Sequence, residues 1–364
     1  MTNAPFDVLY LEEGVERLPF THKVLSRLPG VPVERVDSAE DIQERLARTE
    51  ADVFGAGKRR LFLSRFRGDF LKKCPGISPG MVCCNYYVVN LIKNCVYDCS
   101  YCFLQDFLSN NPVLTAFANP EDLVRELEAT FRTHPERSFR VGTGELTDSL
   151  ALEEVLPYAE VLVPLFNRYP NAVLELKTKS DIVAPLLALP DPTNVIVSWS
   201  LNPPGVAELE EKGTPGPHAR LAAARKCFEA GYRVGFHFDP VILHPGWEKT
   251  YAQLVDDLFD SVPPEGIEWI SLGSFRYRRG LKPVIRDRHP ETRLFDSEHV
   301  PAEDGKFRYL RPLREKAYNT LRRMVQDKSG AVPVYMCMES KEVWEGVTGH
   351  TPRADEKLDV FFDL

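Results

Sequence analysis

The sequence predicts an α/β fold, a partial (β/α)6 barrel preceded by a small N-terminal α/β unit. Three observations carry this. From residue 85 onward short apolar runs alternate with longer amphipathic segments, the signature of repeated βα units and hence of a parallel sheet. Units of this kind joined by right-handed crossovers curl toward a barrel when six or more follow one another. A loop with three cysteines, Asn94-Cys95-Val96-Tyr97-Asp98-Cys99-Ser100-Tyr101-Cys102, comes directly after the first run, at the end of a barrel strand where active sites are built.

Taken in order, residues 6–11 alternate as a strand does, 22–28 read as a short helix and 31–36 as a second strand. Ser38 caps a helix running to about residue 47, and 60–66 form a third strand candidate. Prolines and glycines between residues 68 and 80 mark a boundary. The barrel strands are then expected at 86–92, 139–141, 173–178, 195–200, 233–238, 269–272 and 332–336. Helices are expected between them at 120–133, 152–168, 182–187, 218–230, 247–259 and 313–326. Asn119 is the expected cap of the first of these, with Pro120 in its first turn. The expected division is an N-terminal unit over 1–80, the barrel over 81–340 and a C-terminal extension over 341–364.

The 364 residues carry 45 Lys and Arg against 53 Asp and Glu, a net charge of −8, so any nucleic-acid binding has to come from a local patch rather than the overall field. Two stretches qualify, residues 58–73 and 276–293, where cations interleave with Phe62, Phe66, Phe70, Phe275 and Tyr277. A solvated charged face is the ordinary reading of either run alone. The N-terminus has no basic region followed by an apolar run, and no stretch is long and apolar enough to span a bilayer, so a cytoplasmic protein with no membrane partner is expected.

Three cysteines spaced C-x3-C-x2-C can wrap one side of a compact iron–sulfur cluster and leave one iron of a four-iron cube without a protein ligand. Zinc would take a fourth protein ligand, commonly from a second C-x2-C pair, and none follows. A disulfide would leave one of the three over. The spacing resembles the signature of the radical S-adenosylmethionine (SAM) enzymes, which implies a [4Fe-4S] cluster on Cys95, Cys99 and Cys102 with SAM on the open iron. Other strand ends carry polar clusters at the same end of the barrel: Gly142-Thr143-Gly144-Glu145, Thr178-Lys179-Ser180, Ser200-Leu201-Asn202 and His237-Phe238-Asp239-Pro240. Cys74, Cys83, Cys84 and Cys227 read as structural.

Longer stretches narrow the resemblance. The cysteine motif continues into Phe103-Leu104-Gln105, and the chain also carries Arg220-Leu221-Ala222-Ala223-Ala224-Arg225-Lys226, Ala230-Gly231-Tyr232-Arg233-Val234-Gly235-Phe236, His244-Pro245-Gly246-Trp247-Glu248 and Arg288-His289-Pro290-Glu291-Thr292-Arg293-Leu294. With these it resembles the spore photoproduct lyase family of radical SAM enzymes over most of its length. The resemblance implies a radical SAM partial barrel, a deoxyadenosyl radical made by reductive cleavage of SAM, and an electron donor such as flavodoxin or ferredoxin. It implies that Gly144 and Glu145 meet the SAM amino group, that Lys179 and Ser200 touch its carboxylate or ribose, and that Tyr101 sits beside cluster and SAM. Asp239 is a further candidate for that pocket.

The family's namesake repairs a thymine dimer in DNA, and a nucleic-acid or nucleotide substrate is therefore expected. There a cysteine just before the Thr of the second-strand motif returns hydrogen to the product radical; here that position is Gly142, and the tyrosine usual after the third cluster cysteine is Phe103. Cys337, with Tyr335 and Glu339 on the same face by the two-residue period, is the candidate replacement donor. The alternatives are radical chemistry on a non-nucleic-acid substrate, or a non-catalytic iron–sulfur protein that binds nucleic acid.

Overall fold

A computed structural model describes residues 6–351 except 77, 79, 83 and 191. The expected position of Cys83 lies outside the described residues, as do residues 352–364 of the C-terminal extension.

All seven expected barrel strands are present, as Tyr86–Val89, Phe139–Gly142, Ala172–Thr178, Val195–Ser200, Arg233–Val241, Ile267–Ser274 and Val334–Met336. They lie side by side in chain order, every neighbouring pair parallel, and the short strand Leu71–Lys73 adds antiparallel to the Tyr86 edge. Chain order equals spatial order because each crossover is a helix packed back on the outer face. Leu123, Leu127 and Phe131 of helix Pro120–Thr133 are buried in this way, with Phe131 stacked at an angle on Phe139 and Phe166. Strands buried on both faces read as near-continuous apolar runs, which is why they were legible. The inner face carries polar residues every second position, and those build the site.

The helices also follow the sequence: Ala39–Thr49 starts at Ser38 with a reciprocal capping box to Asp41, and Pro120–Thr133 falls as expected. Asn119 does not cap that helix with its side chain. Its amide instead donates to Asp122 and to the Phe66 carbonyl and accepts from the Phe66 N–H, tying the third N-terminal strand to the helix start. Residues 152–158 form a turn and an irregular segment rather than the beginning of a helix, and the helix there is Ala159–Asn167.

A second sheet has the order Val33–Val36, Val8–Glu12, Arg60–Ser64, Leu114–Phe117 and Ile92–Lys93, parallel except for the last pair. It takes two of its five strands from beyond residue 80, flanking the cysteine loop. The division of the chain at residue 80 remains an expectation from sequence. A third small sheet, Arg276–Arg278, Lys306–Tyr309 and His299–Pro301, was missed in the sequence because three-residue strands carry almost no periodic signal.

One close approach links the N-terminal unit to the cysteine loop. Helix Val53–Lys58 ends against the chain at Pro112, and a Cβ on Gly57 would overlap the Pro112 carbonyl. Glycine is required there for contact, not for backbone conformation. Gly57→Ala is therefore expected to push the helix away and cost about 1–3 kcal/mol in denaturant unfolding; an unchanged midpoint would contradict the tight approach.

Candidate active site

The cysteine loop sits at the carboxyl end of strand Tyr86–Val89, and its backbone polar groups are satisfied by side chains from distant segments. Gln105 Nε2 donates to the carbonyls of Cys99, Ser100 and Cys102 at 3.3, 2.8 and 3.2 Å. Lys58, with 6% of its side chain exposed, donates to the carbonyls of Cys95 and Tyr97 at 2.9 and 2.6 Å and lies 3.6 Å from Asp98. Arg288 bonds both oxygens of Asp98 at 3.1 Å, pairs with Asp52 and donates to the Gln105 side-chain carbonyl. Asn94 stands just before Cys95 at φ 70°, a left-handed conformation that Asn tolerates better than most residues, and its side chain accepts from the Cys95 N–H. A short antiparallel pairing of Asp98–Cys99 with Glu211–Lys212 closes the other side.

Cys95, Cys99 and Cys102 are free thiols. Burial, reinforced by Asp148, pushes the Cys95 thiol up to about 11, and burial likewise raises Cys99. Among the described residues no three His, Cys, Asp or Glu side chains converge on a single-ion site. Three thiolates that each bind a different iron of a cube need not converge on one point. The donor set, one compact loop of thiols with its backbone already satisfied, fits such a cluster.

Around the loop lies a buried charged set. Tyr101 donates its hydroxyl to Glu211, which also accepts from Asn202 at 2.9 Å and pairs with Arg220 at 2.5 Å. Lys179 Nζ lies 5.6 Å from the Tyr101 ring centre. Burial works against its charge, but Glu211 and Cys99 outweigh burial and raise its pKa, so Lys179 is a cation facing the cysteine loop. Glu145 is half-buried and accepts from Asn90 at 2.6 Å. At Gly144 a Cβ would lie 3.1 Å from the Lys177 carbonyl, so this glycine permits close strand packing. Ser200 is buried, and its carbonyl accepts from Arg220 at 2.9 Å. Asp148, which no sequence motif singles out, accepts from Thr178 Oγ1 and the Lys179 N–H at 2.6 Å each, fixing the strand end from which Lys179 projects.

The barrel interior below holds a second network centred on Glu175. Its oxygens accept from Arg140 at 3.0 Å, Ser198 at 2.7 Å and His237 at 2.7 Å, and His237 Nδ1 lies 2.5 Å from Ser271 Oγ. Burial opposes the Glu175 charge, but Arg140 and His237 hold its carboxyl well below the usual range. Arg140 also bonds the Tyr335 hydroxyl at 2.9 Å. Asp239 is paired with Arg276 at 2.9 Å. Cys337 is half-buried, its thiol raised by burial and by nearby Asp239.

Several expectations change here. Glu339 does not continue the inward face after Cys337: Met338 at φ 56° breaks the two-residue period, and Glu339 bonds Arg314 and Tyr318. The 58–73 run is largely consumed by the fold, with Lys58 buried and Arg59, Arg60, Arg65 and Arg67 in ion pairs with carboxylates. In the 276–293 run, Arg276 and Arg288 are engaged inside the protein. Arg279, Lys282 and Arg286 instead line an open groove of about 720 Å³ with Tyr277, His299 and Phe307. Phe103 is 48% exposed at the surface, its ring tilted against that of Phe107.

A curled parallel sheet with a three-thiol loop after its first strand defines the class, an α/β half-barrel of the radical SAM type. The family model for spore photoproduct lyase matches residues 7–330, and the chain belongs to that family. Curated spore photoproduct lyases from Geobacillus and Bacillus subtilis are 27% and 25% identical over 57% of this chain, and the alignments span only 62% and 61% of those relatives. The Clostridium acetobutylicum protein is 24% identical over 84% of this chain and 92% of its own length. Two solved structures superpose with a TM-score of 0.80 at 22% identity, covering 92% of this chain and 99% of theirs. One is a spore photoproduct lyase complexed with dinucleoside spore photoproduct, and the other is a mutant with AdoMet bound as well.

Two outcomes follow. Lys58→Met should cost about 1.5–3 kcal/mol in chemical denaturation, the worth of charged hydrogen bonds to the two loop carbonyls; no loss would remove Lys58 from the loop's support. His237, buried first of all by the barrel, is lowered to about 4. Because the unfolded state then binds the extra proton between pH 6.5 and 4, stability is full above pH 6.5 and declines as pH falls toward 4. Replacing His237 with Gln should flatten that decline in equilibrium unfolding measured from pH 7 to 4.5.

Proposed function

We propose that this chain is a radical SAM enzyme of the spore photoproduct lyase type, acting on a nucleic-acid or nucleotide substrate. The observation that carries this reading is the loop of Cys95, Cys99 and Cys102, held rigid at the barrel mouth beside Tyr101, Lys179 and Glu211. In this reading the three thiolates hold a [4Fe-4S] cluster. Bound together, cluster and SAM supply a deoxyadenosyl radical when an electron arrives from a flavodoxin- or ferredoxin-like carrier.

The chain's own residues have separate tasks. Gly144 and Glu145 receive the SAM amino group, with Asn90 orienting the Glu145 carboxylate. Lys179 offers its charge to the SAM carboxylate, and Ser200 borders the same pocket. Tyr101, fixed by its bond to Glu211, packs beside cluster and SAM and excludes water. Asp239 is neutralised by Arg276 and shapes the mouth rather than binding a cation. The solved relatives with AdoMet and dinucleoside spore photoproduct support SAM as cofactor and a DNA-like substrate. Arg279, Lys282 and Arg286, beside the Tyr277 and Phe307 rings, supply the phosphate-binding cations and aromatic faces such a substrate needs. Binding through them should weaken steeply as salt rises.

Anaerobic reconstitution tests the proposal. The wild-type chain should take up four irons and, when reduced, convert SAM to 5′-deoxyadenosine, while a Cys95→Ala, Cys99→Ala, Cys102→Ala variant should do neither. Glu145→Ala should keep the cluster absorbance and weaken SAM binding by about 1.5–3 kcal/mol. A full cluster in the triple variant would overturn the ligand assignment.

A further inference from the structure

Gly142 lies on the inward face at the end of its strand, and the space its side chain would fill is already taken. A Cβ on Gly142 would overlap the Tyr86 hydroxyl and lie 2.9 Å from Cε1 of the same ring. The overlap follows from register. Tyr86 pairs with Arg140 and Val88 with Gly142 on parallel strands, so Tyr86 and Gly142 share the inward face and a phenol is long enough to reach two residues along the neighbouring strand. Position 142 therefore presents a hydroxyl to the barrel interior, contributed by another residue.

The surroundings are polar and ordered. The Tyr86 ring stacks under the Arg140 guanidinium at 4.9 Å, Glu175 lies close enough to act on its hydroxyl, and Arg140 also bonds the Tyr335 hydroxyl. Burial and the Glu175 charge raise the Tyr86 pKa, so the O–H is kept. Tyr86 is nonetheless half-buried, so part of the residue stays accessible. A reaction opened by hydrogen abstraction leaves a carbon radical that has to be closed, and a phenol O–H is weaker than an alkyl C–H.

We propose that Tyr86 is the residue that returns a hydrogen atom to the substrate radical. This rests on the radical SAM reading above. The substrate carbon takes the hydrogen atom, one proton and one electron, from the Tyr86 O–H. A C–H bond forms, the O–H bond breaks, and a neutral Tyr86 phenoxyl radical remains. One electron from the same class of low-potential carrier, with one proton from solvent, restores the phenol. Cys337 then has no part in the transfer.

The test uses the reconstituted full chain with SAM and reductant in D2O, with dinucleoside spore photoproduct as the probe. A phenol exchanges with solvent, so wild-type product should carry deuterium. In Tyr86→Phe the deuterated product formed per 5′-deoxyadenosine should fall by at least about tenfold, and a freeze-quenched phenoxyl signal seen in the wild type should vanish. Cys337→Ala should keep both readouts. Independently of turnover, Gly142→Ala should lower the melting temperature, and Tyr86→Ala combined with it should cost less than the sum of the two single losses. No deoxyadenosine from the wild type overturns the radical reading and this assignment with it. Deoxyadenosine with undiminished deuterium in Tyr86→Phe, loss of deuterium in Cys337→Ala instead, or additive melting losses overturns the assignment alone.

Discussion

The structure depends on satisfying the backbone of one loop. A short loop that carries three cysteines in eight residues cannot pair its own carbonyls in a helix or sheet, and buried carbonyls without partners are costly. Gln105 takes three of them and Lys58 two more, while Arg288 fixes Gln105 and Asp98 together. These residues come from the helix after the loop, from the N-terminal unit and from the helix Leu281–Arg288 near the far end of the chain. The N-terminal unit is thereby coupled to the cysteine loop through Lys58.

The barrel interior applies the same economy to charge. Glu175 is a fully buried carboxylate, tolerable only because Arg140, His237 and Ser198 surround it. Arg140 in turn holds Tyr335 and covers Tyr86. Through Arg140 a single buried anion thus helps fix two phenols on distant strands of the sheet. Above it Asp239 and Arg276 cancel each other, while Lys179 keeps its charge near the cysteine loop.

The outer basic stretches behave differently from one another for a simple reason of position. Residues 58–67 contain the central strand of the N-terminal sheet, at whose two ends Asp7, Glu12 and Asp122 lie within ion-pair distance. Arg279, Lys282 and Arg286 stand on a turn and a helix face that border an open groove, beside aromatic rings of the small third sheet. Equal density of cations in sequence therefore yields a neutralised face in one case and a candidate phosphate-binding groove in the other.

The sequence by itself determined the seven parallel strands, their order, the crossover helices and the cysteine loop at the carboxyl end of the first strand. Each is encoded locally, by apolar periodicity, capping residues or the spacing of thiols. Only the tertiary structure decided which polar groups meet. That Lys58 and Arg288 brace the loop, that Arg276 is spent on Asp239, that Met338 turns Glu339 out of the barrel and that Tyr86 fills the space of Gly142 are all pairings between residues on different elements. Periodicity states which face a residue occupies, but the partner of a buried charge or the occupant of an empty volume is set by strand register and packing, which no local pattern records.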